Sequence, residues 1–501
     1  MSSPQNSPRP RQLAPRRVCS ALLLILLTAL TTASATLPKK KRPVPTATQK
    51  HTIPHHLKTR TKTASAKPHN RLTAATHRRE IIPPTHSYAV SNIPASDYTA
   101  GPVQPTGSPF LYASNLNPVF EALKTLEAAK TSGTTPDEMA TIRILQFGDS
   151  HTAADLFTGA VRASLQAQFG DGGLGYQFPG HPFAGYHLAG SSRSQTSGWV
   201  TEGNKFTQLG DGDLGLGGIS ISTSRPDESI ELSTSCTTFQ LHYLRQLEGG
   251  RLRFTDNGVT ISDIDTSITP TQSTDTETRG PGTFTYACTP GVHDFTLTTL
   301  DRAPVRLLGL VTEQPGVTYE CLGINGAIAP LMLRWNQEIF AQYLRQRNPN
   351  LIVLAYGTNE AAESPSSNAD YVEKFDQLLD NLHRYVPTAA ILVLGPYDRA
   401  TSHTVRVGRR RKVFWSTFAG TSRIIADQEA ACRTHHCAYY NEQTRMGGPG
   451  SMLHWAAAGL AQADHTHLTG TGYRELGQAL YADFLNAYKT YQQTTQTSQI
   501  R

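Results

Sequence analysis

The sequence predicts an α/β fold built on a parallel sheet, interrupted by an inserted all-β segment. Three observations predict it. Short apolar strands alternate with helices before residue 190 and again after residue 316. About eight short β-branched runs, with no helix between them, fill the stretch 191–315. The candidate chemistry falls at strand ends and helix starts, where an open α/β sheet gathers its ligand crevice.

The elements follow in order. Residues 1–35 read as a secretory signal: Arg9, Arg11, Arg16 and Arg17 precede an apolar run from Val18 to Leu30, and Ala33-Ser34-Ala35 offers a cleavage site. The run is short for a spanning helix. Residues 36–104 are rich in Pro, Thr, Lys, Arg and His and bury too little to offset ordering entropy. They read as an extended basic tether, with Lys39-Lys40-Lys41-Arg42 a solvated charge run or a weak contact to anionic envelope polymers. Residues 1–90 carry 16 Lys/Arg and one acid, whereas the other 411 residues carry 30 basic and 38 acidic residues. The net charge of +7 therefore belongs to the arm, and a nucleic-acid role for the folded part loses its support.

A first α/β part spans 105–190. Asn115 to Lys130 reads as an amphipathic helix with Pro118 in its first turn, Ile142 to Phe147 as a strand, and Ala153 to Phe169 as a helix. The β segment 191–315 reads as a β-sandwich, with Asp256-Asn257-Gly258 a tight turn inside it. A second α/β part spans 316–490, with helices at 329–345, 371–385, 422–433 and 473–488 and strands at 351–356, 390–394 and 438–441. Residues 491–501 read as a frayed tail. Cys236 with Cys288, and Cys432 with Cys437, are candidate disulfides in an oxidising compartment, leaving Cys321 over. No C-x-x-C pair points to zinc.

Four short blocks carry the candidate chemistry. Gly148-Asp149-Ser150-His151 follows a strand, so Ser150 can stand exposed on a tight turn; an ordinary helix cap is the bland alternative. Gly323-Ile324-Asn325-Gly326-Ala327 precedes a helix and can offer a bare backbone N–H. Asn359, in Tyr356-Gly357-Thr358-Asn359-Glu360, can donate its amide at a strand's carboxyl end or simply brace its own turn. In Asp464-His465-Thr466-His467, His467 can act as a base toward Ser150 while Asp464 orients its ring. A metal reading of the H-x-H pair has thin support, and His465 reads as exposed. His151 and Asp155 read as structural.

The order Ser, Gly, Asn, Asp-x-x-His resembles the SGNH (GDSL-like) hydrolase family, with His151 where many relatives carry leucine. The resemblance implies a three-layer α/β/α domain with a parallel sheet. It implies Ser150 as nucleophile, Asp464 and His467 as its triad partners, and the Ser150 N–H, Gly326 N–H and Asn359 amide as oxyanion donors. Gly323 is the rival of Gly326. The run Ile144 to Asp155, Phe169-Gly170-Asp171-Gly172-Gly173, Met446-Gly447-Gly448 and Trp455 are similar to the peptidoglycan O-acetylesterases of Gram-negative bacteria. Those esterases also carry a β-sandwich, similar to a carbohydrate-binding module, between their first two blocks. The implied activity is removal of O-acetyl groups from an envelope glycan, with no metal and no cofactor, in the periplasm or cell envelope. The implied partner is an O-acetylated glycan, peptidoglycan above all, with no nucleic acid and with membrane contact only through an uncleaved N-terminal segment. An O-acetyltransferase using the same residues, a lipase or thioesterase, and a non-catalytic glycan-binding protein are the alternatives.

Overall fold

The structure, a computed structural model, describes residues 93–94, 108–133, 140–205, 207–268, 278–363 and 368–500. The expected signal segment and most of the basic tether lie outside the described residues. Among the described residues, no helix is long and apolar enough to cross a membrane.

A six-stranded sheet carries the α/β parts. Its order is Gly316–Gly323, Thr141–Gly148, Leu351–Ala355, Ala390–Leu394, Ala438–Tyr440 and Phe110–Leu111. The first five strands are mutually parallel, and the last is a two-residue antiparallel edge. Strand residues alternate between two cores, as the period of two requires. Leu145, Phe147, Ile352, Leu354, Ile391 and Val393 join the helices Gln337–Arg347, Asn368–Tyr385 and Ala419–Thr434. Ile144, Val353, Leu392 and Tyr440 join Asn117–Thr131, Leu156–Phe169 and Gly470–Ile500. The register aligns Gly323, Gly148, Ala355 and Leu394 side by side. The strands that bear the site therefore end on one line.

The β segment supplies eight strands of one nine-stranded antiparallel sheet among the described residues, though not the eight short ones expected. Two expected pairs of strands fuse into long ones, Ser229–Gln246 and Arg279–Thr299. This sheet also recruits Gly173–Gln177, outside the expected boundary, against Val305–Glu313. Trp199, Phe239, Phe254 and Phe295 fill its core.

Other differences have local causes. The strand Gly316–Gly323, with no expected counterpart, is buried throughout. Its Glu320 is buried as well, held by the Arg347 guanidinium at 2.5 Å, and a charged residue inside an apolar run hides a core strand from sequence patterning. The helix expected from Ala153 starts at Leu156, because residues 149–155 form a turn that ends with Asp155 at φ 55°. Asp155 takes the buried Arg162 as its ion partner at 2.5 Å and accepts the Ala189 amide. The last helix runs on to Ile500 instead of fraying at 491. A hairpin, Ala400–Val407 with Arg410–Thr417, is also new.

The expected disulfides are not formed: Cys236, Cys288, Cys432 and Cys437 are all free thiols. Cys236 and Cys288 lie 3.7 Å apart at sulfur, against about 2.05 Å for a bond. The ladder is irregular between Ala287 and Gly291, so Gly291 rather than Cys288 stands opposite Cys236.

Candidate active site

The Ser150 turn is built by close approach. A Cβ on Gly148 would lie 2.1 Å from Thr152 Oγ1 and 2.9 Å from the Ala355 carbonyl, so the strand can turn here only as glycine. The Asp149 carbonyl accepts the amides of Thr152 and Ala153, each at 3.1 Å. Gln146 clamps the turn from below, donating to Thr152 Oγ1 at 2.9 Å while Tyr319 OH donates to its carbonyl at 2.6 Å. Ser150 emerges half-buried.

His467 meets it from the other side. Ser150 Oγ lies 2.9 Å from His467 Nε2, and His467 Nδ1 lies 2.7 Å from Asp464 Oδ2. The carboxylate needs a donor at Nδ1, which leaves Nε2 of the neutral ring to accept the serine proton. Asp464 Oδ1 accepts the backbone amides of Thr466 and His467 at 3.0 Å. Partial burial pushes the Asp464 carboxyl up, but the hydrogen bonds from the His467 ring and these amides outweigh it and hold it below the ordinary range. The histidine and aspartate side chains are 36% and 47% exposed, so water can reach the pair. His465 does not join them: its Nδ1 faces the Ala463 carbonyl and its ring sits 3.8 Å from the Trp415 ring.

The structure separates the two glycine candidates. Gly323 is a buried strand residue, and a Cβ there would lie 2.4 Å from the Ala153 amide nitrogen. It lets the Ser150 turn pack flat on the neighbouring strand. Gly326 sits in the following turn at φ 75°, partly exposed. Asn359 opens the short helix after Leu351–Ala355. Its amide nitrogen donates to the Ala327 carbonyl at 2.9 Å and faces Asp149 Oδ2 at 3.4 Å, which ties the second and third blocks to the first.

Sequence reasoning missed the groups beneath the turn. Asp149 is buried, accepts the His151 amide at 2.9 Å, and is pushed by that burial up to about 7. Glu360 is buried, accepts the Ala329 amide at 2.7 Å, and is pushed by burial up to about 8. His151 lies between Tyr397 and His467. Its Nδ1 is 2.9 Å from Tyr473 OH, and its ring centroid is 5.1 Å from that of His467. Burial drives the His151 ring down to about 3, so it stays neutral beside the His467 ring. The one sequence signal of these three was their place in the blocks, Asp149 and His151 in the first and Glu360 in the third. Among the described residues, no group of three or more His, Cys, Asp or Glu side chains is arranged to hold a metal ion.

Comparison with solved structures finds a peptidoglycan O-acetylesterase at 25% identity and a TM-score of 0.57, covering 74% of this chain and 96% of that one. The chain is related to the SGNH-like hydrolases. Family-two carbohydrate esterases also match this chain. That of Clostridium thermocellum is 11% identical with a TM-score of 0.26, over 58% of this chain and 98% of that one. That of Cellvibrio japonicus is 9% identical with a TM-score of 0.25, over 60% and 99%. No family model and no curated protein matches.

Proposed function

We propose that this chain is an exported serine esterase that removes O-acetyl groups from peptidoglycan or a related envelope glycan. The observation that carries the reading is the hydrogen-bonded series Ser150–His467–Asp464 at the carboxyl ends of the parallel strands. Likeness to a peptidoglycan O-acetylesterase over most of both chains supports the substrate class. The reading includes a three-layer α/β/α domain and a β insert that folds as a sandwich beside it.

In the mechanism, Ser150 Oγ attacks the acetyl carbonyl while His467 Nε2 takes its proton. The tetrahedral oxyanion is held by the N–H groups of Ser150 and Gly326 and by the Asn359 amide. Losing one such donor costs about 10²–10³ in turnover. His467 then protonates the departing sugar oxygen, leaving an acetyl ester on Ser150. Water, deprotonated by His467, attacks that ester, and His467 returns the proton to Ser150 Oγ as acetate leaves. Asp464 keeps the histidine tautomer and balances its transient charge. The half-exposed histidine supports hydrolysis, since water has direct access.

The test is acetate release from O-acetylated peptidoglycan, with p-nitrophenyl acetate as a control, for the full chain and for Ser150→Ala. Release from both substrates, lost in the variant, is expected. Activity on the small ester alone would move the acyl acceptor or substrate elsewhere. No activity from folded protein on either would leave a glycan-binding protein.

A further inference from the structure

The hairpin of Ala400–Val407 and Arg410–Thr417 is not used by the chemistry above. It carries Arg406, Arg409, Arg410, Arg411 and Lys412, and no acid from residue 400 to 417. Residues 404–413 are all exposed. None of the five cations makes an ion pair with a described carboxylate. Arg406 stands directly opposite Arg411 in the ladder, a like-charge cross-strand pair that opposes hairpin formation. The folded part around it is acidic, since residues 91–501 hold 30 basic against 38 acidic residues with the hairpin included. Self-repelling charge at the end of a two-stranded ribbon, itself marginal in isolation, is what an arm awaiting an anion would carry.

Its root is fixed to the site. The Ala400 amide donates to the His465 carbonyl at 3.0 Å, and Trp415 lies on the His465 ring, two residues from His467. Ile93–Pro94 pairs with Trp415 and Phe414, near the root. Eight residues per strand carry the tip about 25 Å from the root.

We propose that this hairpin is a cationic arm that binds the carboxylate-bearing peptides of the glycan strand whose ester enters the Ser150 site. The proposal rests on the esterase reading. The cross-strand register chooses this partner over a bilayer. Val405 and Val407 share a face with Lys412 and Arg410, while Arg406 and Arg411 occupy the other face. Both faces are thus cationic and neither is wholly apolar, whereas a membrane-lying element separates an apolar face from a charged one. A ribbon charged on both sides fits a flexible chain that can lie along either face. It would draw an anionic polymer toward an otherwise acidic folded part by long-range attraction.

The test uses the full chain, with all five cations changed to Gln, and a second variant, Arg410→Glu with Lys412→Glu. Binding is measured by co-sedimentation with purified, de-O-acetylated peptidoglycan sacculi, and with the same sacculi after amidation of their carboxyls. Circular dichroism checks folding, and the second variant serves if the first misfolds. Loss of affinity by about tenfold or more is expected in the variants, with at least as large a loss for the wild type on amidated sacculi, where the basic tether loses its partners too. The difference should vanish in about 0.5 M salt, where charges are screened beyond roughly 4 Å. Wild-type binding by folded variants, or undiminished wild-type binding to amidated sacculi, would overturn the proposal. So would variants that lose affinity for anionic phospholipid vesicles or duplex DNA but not for sacculi. Acetate release by the wild type is scored separately. Intact arm-dependent binding without release sinks the esterase reading alone, and release without arm dependence sinks the arm alone.

Discussion

Glu360 gives the protein a stability that falls as pH rises. The side chain is 2% exposed; Oε1 accepts the Ala329 amide at 2.7 Å, and Oε2 has no partner among the described residues. Burial is the main cause that lifts its carboxyl from an ordinary 4.5 to about 8, and the nearby Asp149 charge adds to it. The folded protein therefore keeps a proton that the unfolded chain releases. Stability from this group is fully present below pH 4.5 and is lost as pH rises toward 8. The shift corresponds to about 5 kcal/mol between those limits. Glu360→Gln copies the protonated form and keeps the acceptor for Ala329. Its amide adds a buried donor without a partner, costing about 1–3 kcal/mol. The variant should be less stable than wild type by that amount at pH 4, and more stable by about 2–4 kcal/mol at pH 9. Urea unfolding followed by fluorescence at pH 4, 7 and 9 measures this. Asp149 titrates in both proteins, so the difference between them reads Glu360 together with its smaller coupling to Asp149. A wild-type-minus-variant difference that stays constant from pH 4 to 9 would refute the argument.

Three further outcomes are expected. Asp464→Asn should leave the fold intact and lower kcat by about 10²–10⁴, because the histidine loses its orienting charge; steady-state rates on p-nitrophenyl acetate with an unchanged melting curve check it. Gly323→Ala should push against the Ala153 backbone, costing about 1–3 kcal/mol of stability and slowing Ser150 acylation, both read from denaturation and burst kinetics. Asp155→Ala should leave the buried Arg162 without its carboxylate and cost about 3–5 kcal/mol; a much smaller loss in the denaturation midpoint would show that the guanidinium finds water or another acceptor.

The sequence by itself determined the alternation of elements and the four blocks, because both are local. The strand Ala390–Leu394 and the turn at Gly148 rest on apolar runs and on a glycine that no other residue can replace. Ser150, Gly326, Asn359, Asp464 and His467 were named as candidates for the same reason, as short motifs at element ends. Tertiary structure alone decided what depends on partners distant in the chain. Gly316–Gly323 was hidden because Glu320 reads as a surface residue until Arg347, 27 positions away, covers its charge. The raised Asp149 and Glu360 carboxyls arise from burial in the folded chain, which no window of sequence contains. The separation of Gly323 from Gly326 required the register of two strands more than 170 residues apart in the chain. The 2.9 Å approach of Ser150 to His467 spans 317 positions. Motif order foretells such a contact, but only the parallel sheet, by ending its strands on one line, brings it within hydrogen-bonding distance.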